Sequence, residues 1–206
     1  MLYKSNVLNV AWFAVFFAAI IWSAINPKDT LTWLLEVLPA IIAIILIAST
    51  YKHFPLTPLL SSLILVHCVI LMVGGHYTYA EVPLFDWLRE VMGWQRNNYD
   101  KVGHFAQGFI PVILAREILI RKKVVNGEAW TNFFAITAAL AFSAFYELIE
   151  WWVALLSDEA AEAFLGTQGY VWDTQSDMGW ALMGAVMGVL VFSKWHNQLL
   201  KEYANR

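Results

Sequence analysis

Three pairs of titratable side chains recur at helical spacing in this sequence: Asp100 and His104, Glu147 and Glu150, Asp173 and Asp177. Residues three or four apart share a helix face, so each pair lets a single helix offer two groups to one point. His76, after Gly74-Gly75, adds a second imidazole. Carboxylate oxygens with one or two imidazoles suit a hard or borderline divalent ion such as Mg²⁺, Mn²⁺ or Zn²⁺. An ion of that kind activates water or polarises a phosphoryl oxygen. The candidate metal ligands are therefore Asp100, His104, Glu147, Glu150, Asp173, Asp177 and His76, and the candidate acid/base groups are Glu147, Asp177 and His104.

The elements that must position these groups are apolar runs. The chain is 60% hydrophobic and 14% charged, with a mean hydropathy of +0.57, against about 25% charged residues in a soluble domain. A helix needs about 20 apolar residues to cross the hydrocarbon core, and runs of that length repeat at 7–25, 31–49, 56–74, 102–120, 131–153 and 175–195. The expectation is an all-α, polytopic membrane bundle of about six transmembrane helices, forming a single membrane domain over residues 1–206. The first run, following Lys4, is too long for a signal peptide and lacks a small-x-small cleavage site, so it reads as a retained anchor. In the connection after the third run, Leu84, Trp87, Leu88 and Val91 fall on one face and predict a short interfacial helix. Trp22, Trp33, Trp130, Trp151, Trp152, Trp180 and Trp195 lie near run ends, where amphipathic rings favour the membrane interface.

Lysine and arginine set the orientation. With the N-terminus inside, the cytoplasmic segments hold Lys4, Lys52, Arg116, Arg121, Lys122, Lys123, Lys194, Lys201 and Arg206, nine of the thirteen. The positive-inside rule thus predicts N-in and C-in. Asp100 and His104 then open the fourth helix, Glu147 and Glu150 close the fifth, and Asp173 and Asp177 open the sixth, all at the outer interface.

Spacing also aims these groups inward. From Asp100 to His104, on to Gln107 and Gly108, then to Pro111 and to Ala115, each step is three or four residues, and Asp177 shares a face with Gly184 and Gly188, because seven and eleven residues return to nearly the same angle. Small-residue stripes let membrane helices approach closely. Gly184-x-x-x-Gly188 is read as packing helices within the chain, and Ser143 aligns with Glu147. Unpaired carboxylates near hydrocarbon cost several kcal/mol each, so the cluster requires protons, a basic partner or a cation, and Lys101 alone does not balance it.

Plainer roles compete for the same residues. Asp100, Asp173 and Asp177 stand at helix starts, where aspartate caps backbone amides, whereas Glu147 and Glu150 stand at the end the helix dipole disfavours. Glu36, His53, His67 and His196 read as packing or solvated residues, and Asp158-Glu159-Ala160-Ala161-Glu162 as a solvated loop. Cys68 is the only cysteine, which excludes an intrachain disulfide and a thiolate metal site. A formal charge of −3 with no basic, aromatic-interleaved patch excludes nucleic acid as a partner and leaves membrane lipids. No Ser-His-Asp order, P-loop or dinucleotide fingerprint is present. The expectations that remain are a metal-dependent enzyme acting on a phosphorylated or lipid-linked envelope molecule, a proton- or cation-coupled transporter, and a structural or partner-binding membrane protein.

Four segments carry a family resemblance: Gly75-His76-Tyr77-Thr78-Tyr79, Asn98-x-Asp100-x-x-x-His104-Phe105, Tyr146-Glu147-x-x-Glu150-Trp151 and Trp172-Asp173-Thr174-Gln175-x-Asp177-Met178. Together they resemble the YjdF family of bacterial inner-membrane proteins over most of the chain, which implies a multi-pass protein of the cytoplasmic membrane and no defined activity. The second half is also distantly similar to VanZ-like proteins, through Asp100-Lys101-x-x-His104-Phe105, a glutamate at 147 or 150, and Asp173-x-x-x-Asp177 before a glycine-rich helix. That likeness implies an envelope, glycopeptide-related role. Where VanZ-like proteins carry an arginine before the acidic pair, this chain has Thr167-Gln168-Gly169-Tyr170-Val171.

Overall fold

Helix ends in this chain fall where proline, glycine and capping side chains stand. A computed structural model describes residues 6–156 and 170–204, and every regular element among them is an α-helix. The acidic stretch 158–162, and residues 167–169 of the Thr167–Val171 stretch, lie outside the described residues. α1 (Asn6–Ala24) stops before Asn26, which takes a left-handed φ of 50°, and Pro27. α2 (Thr30–Thr50) begins at Asp29, whose carboxylate accepts the Thr32 amide at 2.7 Å. α3 (Pro58–His76) starts with Thr57 as cap and Pro58 in its first turn, where a missing N–H costs nothing. That pair moves the start two residues past the predicted 56.

α4 (Pro83–Met92) is the short helix expected in the connection after the third run. It ends at Gly93 in the left-handed region, and Leu84, Trp87 and Val91 are exposed. The predicted 102–120 run is divided into α5 (Tyr99–Phe109) and α6 (Pro111–Arg121). Pro111 supplies no N–H and breaks the ladder there, yet the two together still make one apolar span. α7 (Glu128–Leu156) and α8 (Asp173–Ala204) complete the order.

Among the described residues, α2, α3, the α5–α6 pair, α7 and α8 are long and apolar enough to cross a membrane, and α1 supplies a shorter apolar segment over Asn9–Ala24. The chain is a polytopic helical membrane protein. Its outward face is apolar, with Phe133, Phe142, Phe145, Leu155 and Leu190 exposed, as a lipid-facing surface must be. α1 and α2 pack on α3, α3 touches α5, and α5, α7 and α8 pack mutually. The indole of Trp12 in α1 donates to the Ser61 carbonyl of α3 at 2.9 Å.

The tightest approach is α5 on α8. A Cβ at Gly108 would overlap the Ala181 backbone, one at Gly184 the Phe105 backbone, and one at Gly188 the Phe109 carbonyl. The small stripe therefore brings two helices of one chain together, as its spacing predicts. A buried polar knot ties the opposite end of the bundle. Glu117, in α6, accepts from the Thr57 amide (3.0 Å), the Thr57 hydroxyl (2.6 Å) and Arg121 (2.8 Å), and stands 3.1 Å from His196 Nε2. Both glutamate and histidine are fully buried, so His196 is a packing residue that joins α8 to α6.

Candidate metal centre

His104 is the middle of the cluster that the α5–α7–α8 contact creates. Its Nε2 lies 3.3 Å from Asp100 Oδ1, one turn earlier on α5, and 3.9 Å from Asp177 Oδ2 on α8. Its Nδ1 faces the other way, 3.1 Å from Gln107 Oε1 and 3.7 Å from Glu147 Oε1 on α7. Two ligand sets result, Asp100–His104–Asp177 and His104–Glu147–Glu150, each with its ligand atoms within 4.8 Å of one another. Imidazole has one lone pair when neutral, so one ion at a time can use it. An Nδ1–H donated to Gln107 Oε1 leaves the Nε2 lone pair facing Asp100 and Asp177, and such an outer partner is what orients a ligating histidine.

The glycines explain why these groups meet. α5 carries Asp100 and His104 five and one residues before Phe105, whose carbonyl abuts Gly184, and Asp177 lies two turns earlier on the same face of α8. Ser143 and Glu147 are buried on the inner face of α7 together with Ala135 and Ala139. Glu147 Oε1, Asp177 Oδ1 and Ser143 Oγ are buried without a hydrogen-bond partner. Buried polar atoms are nearly always satisfied, so these acceptors mark places where a proton, a water or a cation belongs.

Two predicted ligands are elsewhere. Asp173 sits at the rim, 2.6 Å from Arg96 Nη1, and belongs to neither ligand set. His76 lies among α1 and α3: its Nδ1 is 3.0 Å from the Ser23 carbonyl, and its ring packs on Trp22 and Tyr77. The Gly74-Gly75 that precedes it serves the helix rather than a loop ligand. Gly74 and Gly103 leave room for the Tyr79 ring, which any Cβ at either position would overlap.

Three participants are absent from the sequence-derived set. Arg96, whose Nη2 is 3.7 Å from Asp100 Oδ2, is the basic partner for Asp100 and Asp173. Glu36 of α2 is buried and accepts from the Tyr146 hydroxyl at 3.2 Å, and Tyr79 neighbours the same carboxylate. Burial, with the Glu36 carboxylate beside it, pushes the Tyr79 phenol well above its usual range, so the hydroxyl stays a donor. Thr78 and Tyr79 hold that ring with φ of 58° and 56°, a conformation a β-branched threonine rarely adopts. A carboxylate inside an apolar run is a functional candidate by itself, and that was the available signal for Glu36.

A family model described as "Predicted membrane protein (DUF2238)" matches residues 8–198. The inner membrane protein YjdF of Escherichia coli (strain K12) is 50% identical over 184 residues, covering 89% of this chain and 88% of that protein. No solved structure matches. These comparisons do not support the VanZ-like likeness of the second half, and no role is carried over from it.

Proposed function

This chain belongs to the DUF2238 family of membrane proteins, and we propose that it holds a divalent cation at the α5–α7–α8 centre and uses it on a phosphorylated or lipid-linked molecule of the bacterial envelope. The observation that carries this reading is the ring of carboxylates around His104, buried at Glu147 and Asp177 and half-buried at Asp100 and Glu150, in which Glu147 Oε1 and Asp177 Oδ1 have no hydrogen-bond partner. Asp100, His104 through Nε2, and Asp177 would be the ligands, a mixed oxygen–nitrogen set that fits Mg²⁺, Mn²⁺ or Zn²⁺. Such an ion supplies a polarised phosphoryl oxygen or an acidified water.

The remaining residues have roles of their own. Glu147, on the far side of the imidazole with a free oxygen, is the acid/base group, and Glu150 stands beside it. Arg96 fixes Asp100 and Asp173 from the rim. The inner-membrane name of the Escherichia coli relative supports a location in the bacterial cytoplasmic membrane. The lysine and arginine distribution supports an outward-facing centre in contact with membrane lipids.

Passage through the bundle is disfavoured by what lies beneath the centre. Inward from Gln107 and Ser143, the packed faces present Val112, Ile113, Ala135, Ala139, Ala181 and Ala185, all essentially fully buried. A coupled transporter needs polar relays there, so the arrangement favours chemistry at one face.

Metal analysis of the detergent-purified protein tests the proposal, with Asp177→Ala and Glu147→Ala checked for monodisperse folding. We expect a stoichiometric divalent ion in the wild type and its loss from Asp177→Ala. Loss from Glu147→Ala alone would move the ion to the Nδ1 side of His104. A metal-free wild type, or retention in both folded variants, overturns the reading.

A further inference from the structure

At the end of the bundle away from His104, the turn between α6 and α7 borders a partly open cavity of about 290 Å³. Arg116, Lys123, Asn126, Glu128, Thr131 and Asn197 line it. Arg116 is fully buried, yet its guanidinium is only partly used. Nη2 donates to Asn197 Oδ1 at 2.8 Å, while Nε and Nη1 have no hydrogen-bond partner. A buried guanidinium with two unpaired nitrogens is costly unless something accepts from it.

The acid nearest to it does not fill that role. Glu128 Oε1 lies 3.8 Å from Arg116 Nη2, and its side chain is 60% exposed; it is held by Asn197 Nδ2 at 3.0 Å. A carboxylate on an exposed stem at that distance is a weak partner, and one amide hydrogen bond from Asn197 is what holds it there. Lys123 adds a second positive charge to the lining. The cavity also meets the first turn of α7, where Gly127 turns with a φ of 87° and the opening amides of a 29-residue helix favour an anion. A guanidinium fork, an ammonium and a helix N-terminus together are the donor set for phosphate oxygens.

We propose that this cavity binds a phosphate group, carried either by a soluble phosphate or by the headgroup of an anionic phospholipid, with Arg116 and Lys123 as its cationic contacts and Glu128 as the carboxylate it displaces. The site is independent of the His104 centre and stands or falls separately from it. Its position at the mouth of the bundle beside the exposed Trp130 suits a headgroup as well as a soluble anion, so the test separates the two sources.

Two probes are applied to the full-length purified protein: inorganic phosphate in detergent, followed by calorimetry against matched chloride, and phosphatidylglycerol in phosphatidylcholine nanodiscs, followed by native mass spectrometry of retained lipid. Binding of inorganic phosphate identifies a soluble ligand, and retention of phosphatidylglycerol without it identifies a lipid. In either case Glu128→Gln should bind about tenfold tighter and Arg116→Gln about tenfold weaker, the weight of one charge-assisted contact. If Arg116→Gln does not fold, Glu128→Gln decides alone. Neither probe binding to wild type or Glu128→Gln, or binding that is unchanged by Glu128→Gln, overturns the proposal and makes Arg116–Asn197–Glu128 a purely structural link.

Discussion

Arg96 Nη1 and Asp173 Oδ1 meet at 2.6 Å across 77 residues of sequence, with only 14% and 9% of the two side chains exposed. The pair pins the α4–α5 connection to the start of α8. It also supplies the positive charge that lets Asp100 sit beside two further carboxylates.

Removing that charge leaves the buried Asp173 and the half-buried Asp100 without their basic partner. Breaking one partner out of a buried pair costs about 3–5 kcal/mol, so Arg96→Gln should lower stability by an amount of that order. Adding Asp173→Asn removes one of the stranded charges, and the double variant should recover a large part of the loss. Equilibrium unfolding in mixed detergent measures both. A double variant no more stable than Arg96→Gln would mean that Arg96 acts mainly through packing over the Tyr170 ring, 5.3 Å away.

The glycines of the α5–α8 contact make a second prediction, with an internal control. At Gly108 and Gly184 a methyl group would enter the backbone of the facing helix, whereas at Gly179 it would meet nothing within 4 Å. Overpacking a tight contact costs about 1–3 kcal/mol or more, and alanine in an open helical position gains about 0.5–1 kcal/mol over glycine. Gly108→Ala and Gly184→Ala should therefore unfold at lower denaturant than wild type and Gly179→Ala at equal or higher denaturant. The two interface variants should also weaken binding of the proposed divalent ion, since Asp177 and His104 would move apart. Equal behaviour of all three would remove the helix contact as the cause of the site.

How much of this is legible in the sequence follows from which interactions are local. Apolar length, the caps Asp29 and Thr57, and Pro83 in the first turn of α4 are local, so helices and their ends can be read within a few residues. The faces of Asp100–His104 and Asp177–Gly184–Gly188 follow from helical periodicity, and these faces do meet. Contacts between separate elements carry no such pattern. Arg96 lies in a connection with no periodicity, and nothing in its neighbours points to Asp173. Glu36 is joined to the site by Tyr146, 110 residues away, and has Tyr79 beside it. His76 is the converse case: its Gly-Gly prefix reads as a ligand-bearing turn, and the glycines instead answer to the Tyr79 ring and to α2.

The last prediction concerns pH and lies outside the spans. Asp29 caps α2 by accepting the Thr32 amide at 2.7 Å, and that bond holds its carboxyl below the ordinary range. A carboxyl whose pKa is lower in the folded state stabilises fully above the unfolded value, about 3.9, and loses that contribution as pH falls through the folded value. Asp29→Ala should thus cost about 1 kcal/mol near neutrality, and the gap from wild type should narrow as pH is lowered past about 4. Asp29→Asn keeps an acceptor oxygen without a titrating proton, so its offset from wild type should stay small at neutral pH and not track the alanine variant. Unfolding curves for the three proteins at paired pH values measure this. An alanine penalty that does not change with pH would show that the cap acts through backbone geometry, with no contribution from the charge.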